Sequence, residues 1–475
     1  YAGTDTALPV AWGALAAMRE AFATAYRRLF GFVEPDTAIE VEAVLVEVVA
    51  EGVVLPAQSL LEGSGLPREH VRLFVEKHWR EVPLYHRADL RAGQEILGPA
   101  LLIEPTSTVV IDPGWQGEVL AGGEIVLSRS MASTKRQASG TERDPVALTL
   151  FNRRFMAIAE EMGIALAHTA HSVNIRERMD FSCAVFNRRG ELIANAPHIP
   201  VHLGSMGEAV NAIRARFGTD MRPGDVFLVN SPYHGGTHLP DITVVTPVWD
   251  GEGREILFYT ASRGHHADVG GNQPGSMPPD SRTIDEEGVE SPGMRIVAAG
   301  RFLEAEVRAW LAGGRHPARN PAQNIADLKA QIAANEKGAQ QLLALVARHG
   351  LARVEAYMDY ALDLGESLTR QTVGRLDDGA FSVALDNGAR ICVSIHVERE
   401  AGRAIIDFAG TSPARPDNFN APPAVVRAAV LYVFRTLVGQ DIPLNAGCLR
   451  PLTLVIPPGS MLDPRPLAAV VAGNV

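Results

Sequence analysis

Cysteine is scarce. Cys183, Cys392 and Cys448 are the only three in 475 residues. They form no CxxC pair and no ladder of spacings, which excludes a disulfide framework and a cysteine-based zinc motif and suits a reducing cytoplasm. Positive charge is also in short supply. The 44 Lys and Arg stand against 55 Asp and Glu, a net charge of −11, so no basic surface is available for nucleic acid or an anionic membrane. No apolar run approaches the roughly 20 residues of a membrane span. The phosphate loop GxxxxGK[ST] is missing, as is a GxGxxG between strand and helix. Ser205 lies in Gly204-Ser-Met-Gly207, which is not the GxSxG nucleophile elbow.

What is present is ordinary in bulk and unusual in one place. A hydrophobic content of 46% and a charged content of 21% describe a globular chain, long enough for about two to four domains. Residues 14–33 carry Leu15, Met18, Phe22, Tyr26 and Phe30 at helical spacing. Ile39 to Ala50 alternates as a half-buried strand does. Between 81 and 129, short β-like runs alternate with turns at Asp112-Pro-Gly and Ala121-Gly-Gly. The polar stretch 131–143 reads as a linker. Asp144-Pro145 then opens a helix, with Asp as N-cap and Pro in the first turn.

A second domain is expected from residue 144. Phe181–Phe186 and Leu192–Ala194 flank Asn187-Arg-Arg-Gly190 as a hairpin. Val226–Val229 and Ile242–Val248 read as buried strands. The Gly- and Pro-rich stretch 270–295 reads as a long loop. Asn320-Pro321 opens a long helix ending at Gly350. Strands near 381–386, 391–397 and 404–408 precede a helix at 423–438. The expected fold class is mixed α/β: a small β-rich N-terminal domain, then a larger mixed-sheet domain with long helices.

The unusual place is Ser231-Pro-Tyr-His-Gly-Gly-Thr-His-Leu-Pro-Asp241, followed by Arg263-Gly-His-His-Ala-Asp-Val-Gly-Gly271. His234, His238, Asp241, His265, His266 and Asp268 gather among glycines, just beyond apolar runs. Imidazole nitrogen with carboxylate oxygen suits a divalent Zn, Mn or Fe ion. The metal reading rests on His238, Asp241 and one of the two adjacent histidines. The blander alternative makes these groups loop caps or hydrogen-bonded structural histidines. Asp180, at the start of an apolar strand, reads on its own as a partner of Arg176 or Arg178. His168, His171, His198 and His202 lie between apolar residues and read as structural histidines, and Cys183 as a core residue.

The segments Asp180-Phe-Ser-Cys-Ala, His198-Ile-Pro-Val-His-Leu-Gly-Ser-Met, Asn230 to Asp241, His265 to Gly271 and Asp441-Ile-Pro-Leu-Asn-Ala-Gly-Cys-Leu-Arg450 together resemble the hydantoinase B/oxoprolinase family over 144–475. Residues 1–130, through Gly98-Pro-Ala-Leu-Leu-Ile-Glu-Pro-Thr-Ser-Thr108 and Pro113-Gly-Trp115, resemble the C-terminal end of the hydantoinase A family. The fused order resembles that of single-chain, ATP-dependent oxoprolinases. The resemblance implies opening of a lactam, 5-oxo-L-proline, to L-glutamate with ATP hydrolysis. It implies a homo-oligomer, a hydantoinase A-like half on the same chain, and ATP with Mg held by a part N-terminal to residue 1. This chain alone is then expected not to turn over ATP. Carried over by position, Asp180, His238, Asp241 and His265 hold the metal, the first three being catalytic. His266 is the alternative ligand, and His266 or Asp268 the candidate partner that orients one. Alternatives within the same scaffold are hydantoin hydrolysis or ATP-dependent carboxylation of a ketone. A non-enzymatic subunit with a structural metal site is the third reading.

Overall fold

The computed structural model describes residues 1–2, 7–50, 60–130, 140–196, 199–439 and 444–474. Most of the expected linker, together with His198 and residues 441–443 of the C-terminal motif, lies outside them. The chain forms two compact units, Tyr1–Glu42 with Gly140–Val475, and Ala43–Ser139. The division at 139/140 falls within the stretch 131–143 read as a linker, and the first 42 residues group with the larger unit.

Among its described residues the smaller unit has seven short strands. β1 (Glu69–Val75), β2 (His78–His86), β4 (Ala100–Ile103) and β5 (Thr108–Ile111) form one sheet. β3 (Glu95–Leu97), β6 (Trp115–Val119) and β7 (Ile125–Arg129) form another. Ile96, Ala100, Leu102, Ile111 and Val119 fill its core. Gly114 and Gly123 take positive φ in the two expected turns, a conformation that a Cβ disfavours. The alternating segment 39–50 is not a strand. It has no ladder partner among the described residues, and Val41, Leu45, Val46 and Val48 are exposed.

In the larger unit, α1 (Leu15–Phe30) turns Phe22, Tyr26 and Phe30 inward. α2 (Pro145–Thr169) starts as expected, with the Asp144 carboxylate accepting from the backbone N–H groups of Val146 and Ala147. There follow α3 (Val173–Arg176), β8 (Phe181–Asn187), β9 (Leu192–Asn195), α4 (Pro200–Phe217), β10 (Val226–Val229), β11 (Asp241–Trp249), β12 (Ile256–His265), β13 (Met294–Ala298), β14 (Arg301–Phe302) and α5 (Glu304–Leu311). The seven strands make one sheet, β14-β13-β10-β11-β12-β8-β9, antiparallel at every pairing.

Two layers of helix cover this sheet. α2 and α6 (Pro321–His349) pack on one face, with Phe181, Cys183, Val185 and Phe258 in the core between. α4 packs on the other, over Ala184, Phe186, Val245, Tyr259 and Ala261. Side chains alternate between faces along each strand, so odd and even residues of β11 and β12 meet different helices. The site depends on this. Beyond α6, α7 (Leu351–Val373) leads into a small sheet of β15 (Gly379–Ala384), β16 (Arg390–Glu398), β17 (Arg403–Asp407) and β18 (Leu452–Val455). α8 (Pro423–Val438) packs on that sheet.

Candidate metal centre

Strand register assembles the site. β11 begins at Asp241, which stands opposite His265, the last residue of β12. Two residues inward, Thr243 stands opposite Arg263, which in turn faces Ser182 of β8. The backbone N–H of His265 donates to the carbonyl of Asp180, just before β8. Asp241, Arg263, His265 and Ser182 thus share the face covered by α4. His266 falls on the opposite face.

His238 comes from the loop between β10 and β11. Asn230 clamps that loop: its amide donates to the carbonyls of Leu239 and Val289, and its oxygen accepts from the N–H of Ser291. Gly235 adopts φ of 85° and lies so close to α4 that a Cβ would overlap the backbone of Glu208 and Ala209. A Cβ on Gly236 would meet the carbonyls of Asn230 and Ser231. The glycines let the loop press against α4 and turn His238 back toward the strand ends.

Three donor atoms converge there. His238 Nε2 is 3.2 Å from His265 Nδ1, His265 Nδ1 is 3.0 Å from Asp241 Oδ1, and His238 Nε2 is 3.7 Å from the same oxygen. His238, Asp241 and His265 are the one group of three or more His, Cys, Asp or Glu residues among the described residues placed to hold a metal together. Asp180 is at the margin, its Oδ2 3.9 Å from His265 Nδ1 and its side chain 34% exposed.

The electrostatics of His238 and Asp241 agree with a cation-binding role. Burial lowers the His238 imidazole to about 4, which keeps it neutral and leaves a lone pair to offer. Asp241 is fully buried, which opposes ionisation, yet His238, His202 and hydrogen bonds from His202 and His265 hold it well below the usual carboxylate range. Burial also acts against charge on His265, but its hydrogen bond to Asp241 and the charges of Asp241 and Asp180 outweigh this and raise it. Asp180 is raised chiefly by burial. His238 Nδ1 is buried without a hydrogen-bond partner. Two imidazoles and a carboxylate, all directed at one point, fit a borderline divalent cation such as Zn, Mn or Fe.

Other expected residues lie elsewhere. His266 is wholly buried on the α6 face, with Nε2 on Gln331 at 3.1 Å and Nδ1 on the amide of Asn324 at 3.1 Å, so it is not the alternative ligand. Asp268 orients no ligand. Its oxygens accept from the backbone of Gly270, Gly275 and Arg319 and from the Arg319 guanidinium, which makes it the cap of the following loop. His234 is exposed and bonded to Ser231. His168 and His171 are exposed, not structural core groups. His202 is indeed buried and satisfied, but its partner is the site carboxylate: Nε2 lies 3.1 Å from Asp241 Oδ2. Arg263 is fully buried, bonded to Thr243, Ser205 and the carbonyl of Gly235. Burial lowers this guanidinium to about 10 despite the pull of Asp241. The sequence alone marks His202 as a structural histidine and gives Arg263 no role. The pair His202 and Ser205, three apart among the apolar residues that open α4, was the available signal.

Comparison with known proteins gives a consistent outcome. Residues 144–475 match the family described as hydantoinase B/oxoprolinase, and residues 15–120 match the hydantoinase/oxoprolinase C-terminal domain. The chain is 38% identical to 5-oxoprolinase 1 of Arabidopsis thaliana and 39% identical to 5-oxoprolinase of Saccharomyces cerevisiae. All of this chain is covered in both cases, but 40% and 39% of those proteins, so it spans about two fifths of their length. Among solved structures, an ATP-dependent caprolactamase from Pseudomonas jessenii superposes with a TM-score of 0.60 at 26% identity. The match covers 68% of this chain and 56% of the other. An acetone carboxylase superposes with a TM-score of 0.59 at 18% identity over 70% of this chain and 46% of the other, a likeness of fold alone.

Proposed function

This chain belongs to the hydantoinase B/oxoprolinase family, and on that premise we propose that it is the metal-dependent portion of an ATP-dependent 5-oxoprolinase, which opens a lactam ring to an amino acid. The observation that carries the reading is the cross-strand pair Asp241–His265 with His238 folded back upon it. His238, Asp241 and His265 hold the divalent ion, and Asp180 stands on the solvent side as a fourth contributor. Such an ion supplies Lewis-acid polarisation or a lowered water pKa.

The protein's own groups do the rest. Asp241 presents Oδ1 to the donor set while Oδ2 is held by Thr237 and His202. Half-exposed Asp180 and His265, the latter 12% exposed, border the solvent side, whereas Asp241 behind them is sealed at 1%. Substrate approaches from the Asp180 side, the open edge of the donor set. A lactam amide is a poor electrophile with a poor leaving group, so ATP is needed to activate its oxygen. We assign that step to the part of the relatives' length that this chain does not span. The setting is cytoplasmic.

Metal analysis of the purified protein, beside His238→Ala, tests the first half of the reading. One equivalent in the parent and a small fraction of it in the variant is the expected result. Joining the chain to the part of a 5-oxoprolinase relative that it does not span, and assaying 5-oxoproline, hydantoin and acetone with ATP, tests the second. Turnover of hydantoin or acetone in place of 5-oxoproline would redirect the assignment.

A further inference from the structure

Behind the three donors lies a second row of side chains that faces no solvent. His202 sits on the first turn of α4 with Nε2 3.1 Å from Asp241 Oδ2 and Nδ1 3.1 Å from Ser182 Oγ. Thr237 Oγ1 donates to the same Asp241 oxygen at 2.6 Å. Ser182 and Thr237 are fully buried, and the side chains of His202 and Asp241 are 1% exposed.

The direction of these bonds follows from chemistry. A carboxylate only accepts, so the His202 proton sits on Nε2. In the neutral imidazole Nδ1 is then an acceptor, and the Ser182 hydroxyl donates to it. The outcome is a one-way chain, Ser182 to His202 to Asp241. It resembles a nucleophilic triad in composition, but the serine is sealed in the sheet and no reactant reaches it. What the chain fixes is the carboxylate. With Oδ2 occupied by two donors, Oδ1 is left facing His238 and His265.

The scaffold around His202 allows it little freedom. Ser205, one turn along α4, is bonded to Arg263. Gly204 packs so closely on α8 that a Cβ would overlap the backbone of Ala428. α4 is thereby pinned to β12 on one side and to α8 on the other, and His202 is carried to one place.

We propose that His202 is a positioning residue for the metal centre, fixing the orientation of Asp241 through Nε2 while Ser182 fixes its tautomer. This rests on the metal reading above. Groups in this position tune metal affinity by about 10- to 100-fold in other proteins. The test is titration of the metal-free protein with Zn²⁺ and with Mn²⁺ against a chromophoric chelator, together with the absorption spectrum of the Co²⁺-loaded form. His202→Ala is expected to bind about 10- to 100-fold more weakly and to change the Co²⁺ spectrum. His202→Gln places an amide N–H near the position of Nε2 and is expected to recover most of both. His202→Asn places its amide near Nδ1 and is expected to behave as alanine does. If His202→Ala does not fold, Ser182→Ala carries the test, with a weakening of about 3- to 10-fold expected from one lost neutral hydrogen bond. Parent protein that binds no divalent ion would overturn the metal reading and this inference with it. Parent protein that binds while His202→Ala binds equally well would overturn this inference alone. Equal weakening in the Gln and Ala variants would assign His202 a packing role and likewise overturn it.

Discussion

Asp241 serves two sets of partners at once, and the consequences are local. Asp241→Asn keeps the shape but removes the charge that Arg263, His202 and His265 all sense. Metal affinity should fall at least about a hundredfold, beyond the loss typical of an outer partner. The metal-free form should lose about 1–3 kcal/mol, the cost of leaving buried donors poorly matched, measured by urea unfolding. A second residue makes a pH prediction. Glu287 is fully buried, and its oxygens accept from the Ser281 hydroxyl and the N–H groups of Val470 and Val471. Burial outweighs these donors and raises its carboxyl from 4.5 to about 7. Across that window the folded chain keeps a proton that the unfolded chain has released. Stability therefore falls as pH rises from about 4.5 to 7 and levels off above. Glu287→Gln should flatten that slope, and a slope unchanged in the variant would assign it to other groups. At this scale the sequence was half legible. The cluster of imidazoles and acids announced itself, but which member of His265-His266 faces it is a matter of strand parity. Parity could be read only once Asp241 was seen opposite His265. His202 was hidden because its partner is 39 residues away and its neighbours are apolar.

At the level of elements, α6 divides the chemistry. Its apolar positions marked it as a helix, and its N-cap Asn320 and stop at Gly350 are where the sequence put them. Less visible was a buried polar stripe facing the sheet. Gln331 donates to the carbonyls of Ile242 and Ser262, and Asn335 donates to the carbonyl of Val244 and to Thr246. Gln331→Leu should cost about 1–3 kcal/mol through the buried carbonyls and the His266 nitrogen it abandons. Metal affinity should hold within about threefold, because the stripe lies across the sheet from the donors. A large loss of affinity would show that the two faces are coupled. The segment 39–50 teaches the opposite lesson. Alternating valines show that a segment can sit in a sheet, not that a neighbouring strand exists to receive it. α4 and α7 escaped notice for a related reason: their apolar residues are interrupted by Gly, His and charged groups whose partners lie far along the chain.

For the molecule as a whole, the division into units departs from the order of the sequence. Tyr1, Phe22, Tyr26, Phe30 and Phe32 form an aromatic cluster that includes Phe302 and packs against α6. Polar ties reinforce it: Lys329 Nζ lies 2.6 Å from Glu34, and Gln340 donates to the carbonyl of Arg28. Tyr26→Ala should cost about 3–5 kcal/mol in the larger unit, the range for deleting a buried aromatic ring. Calorimetry would show it as a fall in the melting temperature of that unit. The fold class was legible because strand and helix periodicities are local. The membership of α1 was not, because it rests on contacts with residues some 300 positions away. That membership has a corollary for chain continuity. A protease cut anywhere in 140–143 would sever the peptide link yet leave α1 wedged by its rings against α6. The two pieces would then travel together through a sizing column as a nicked but intact particle.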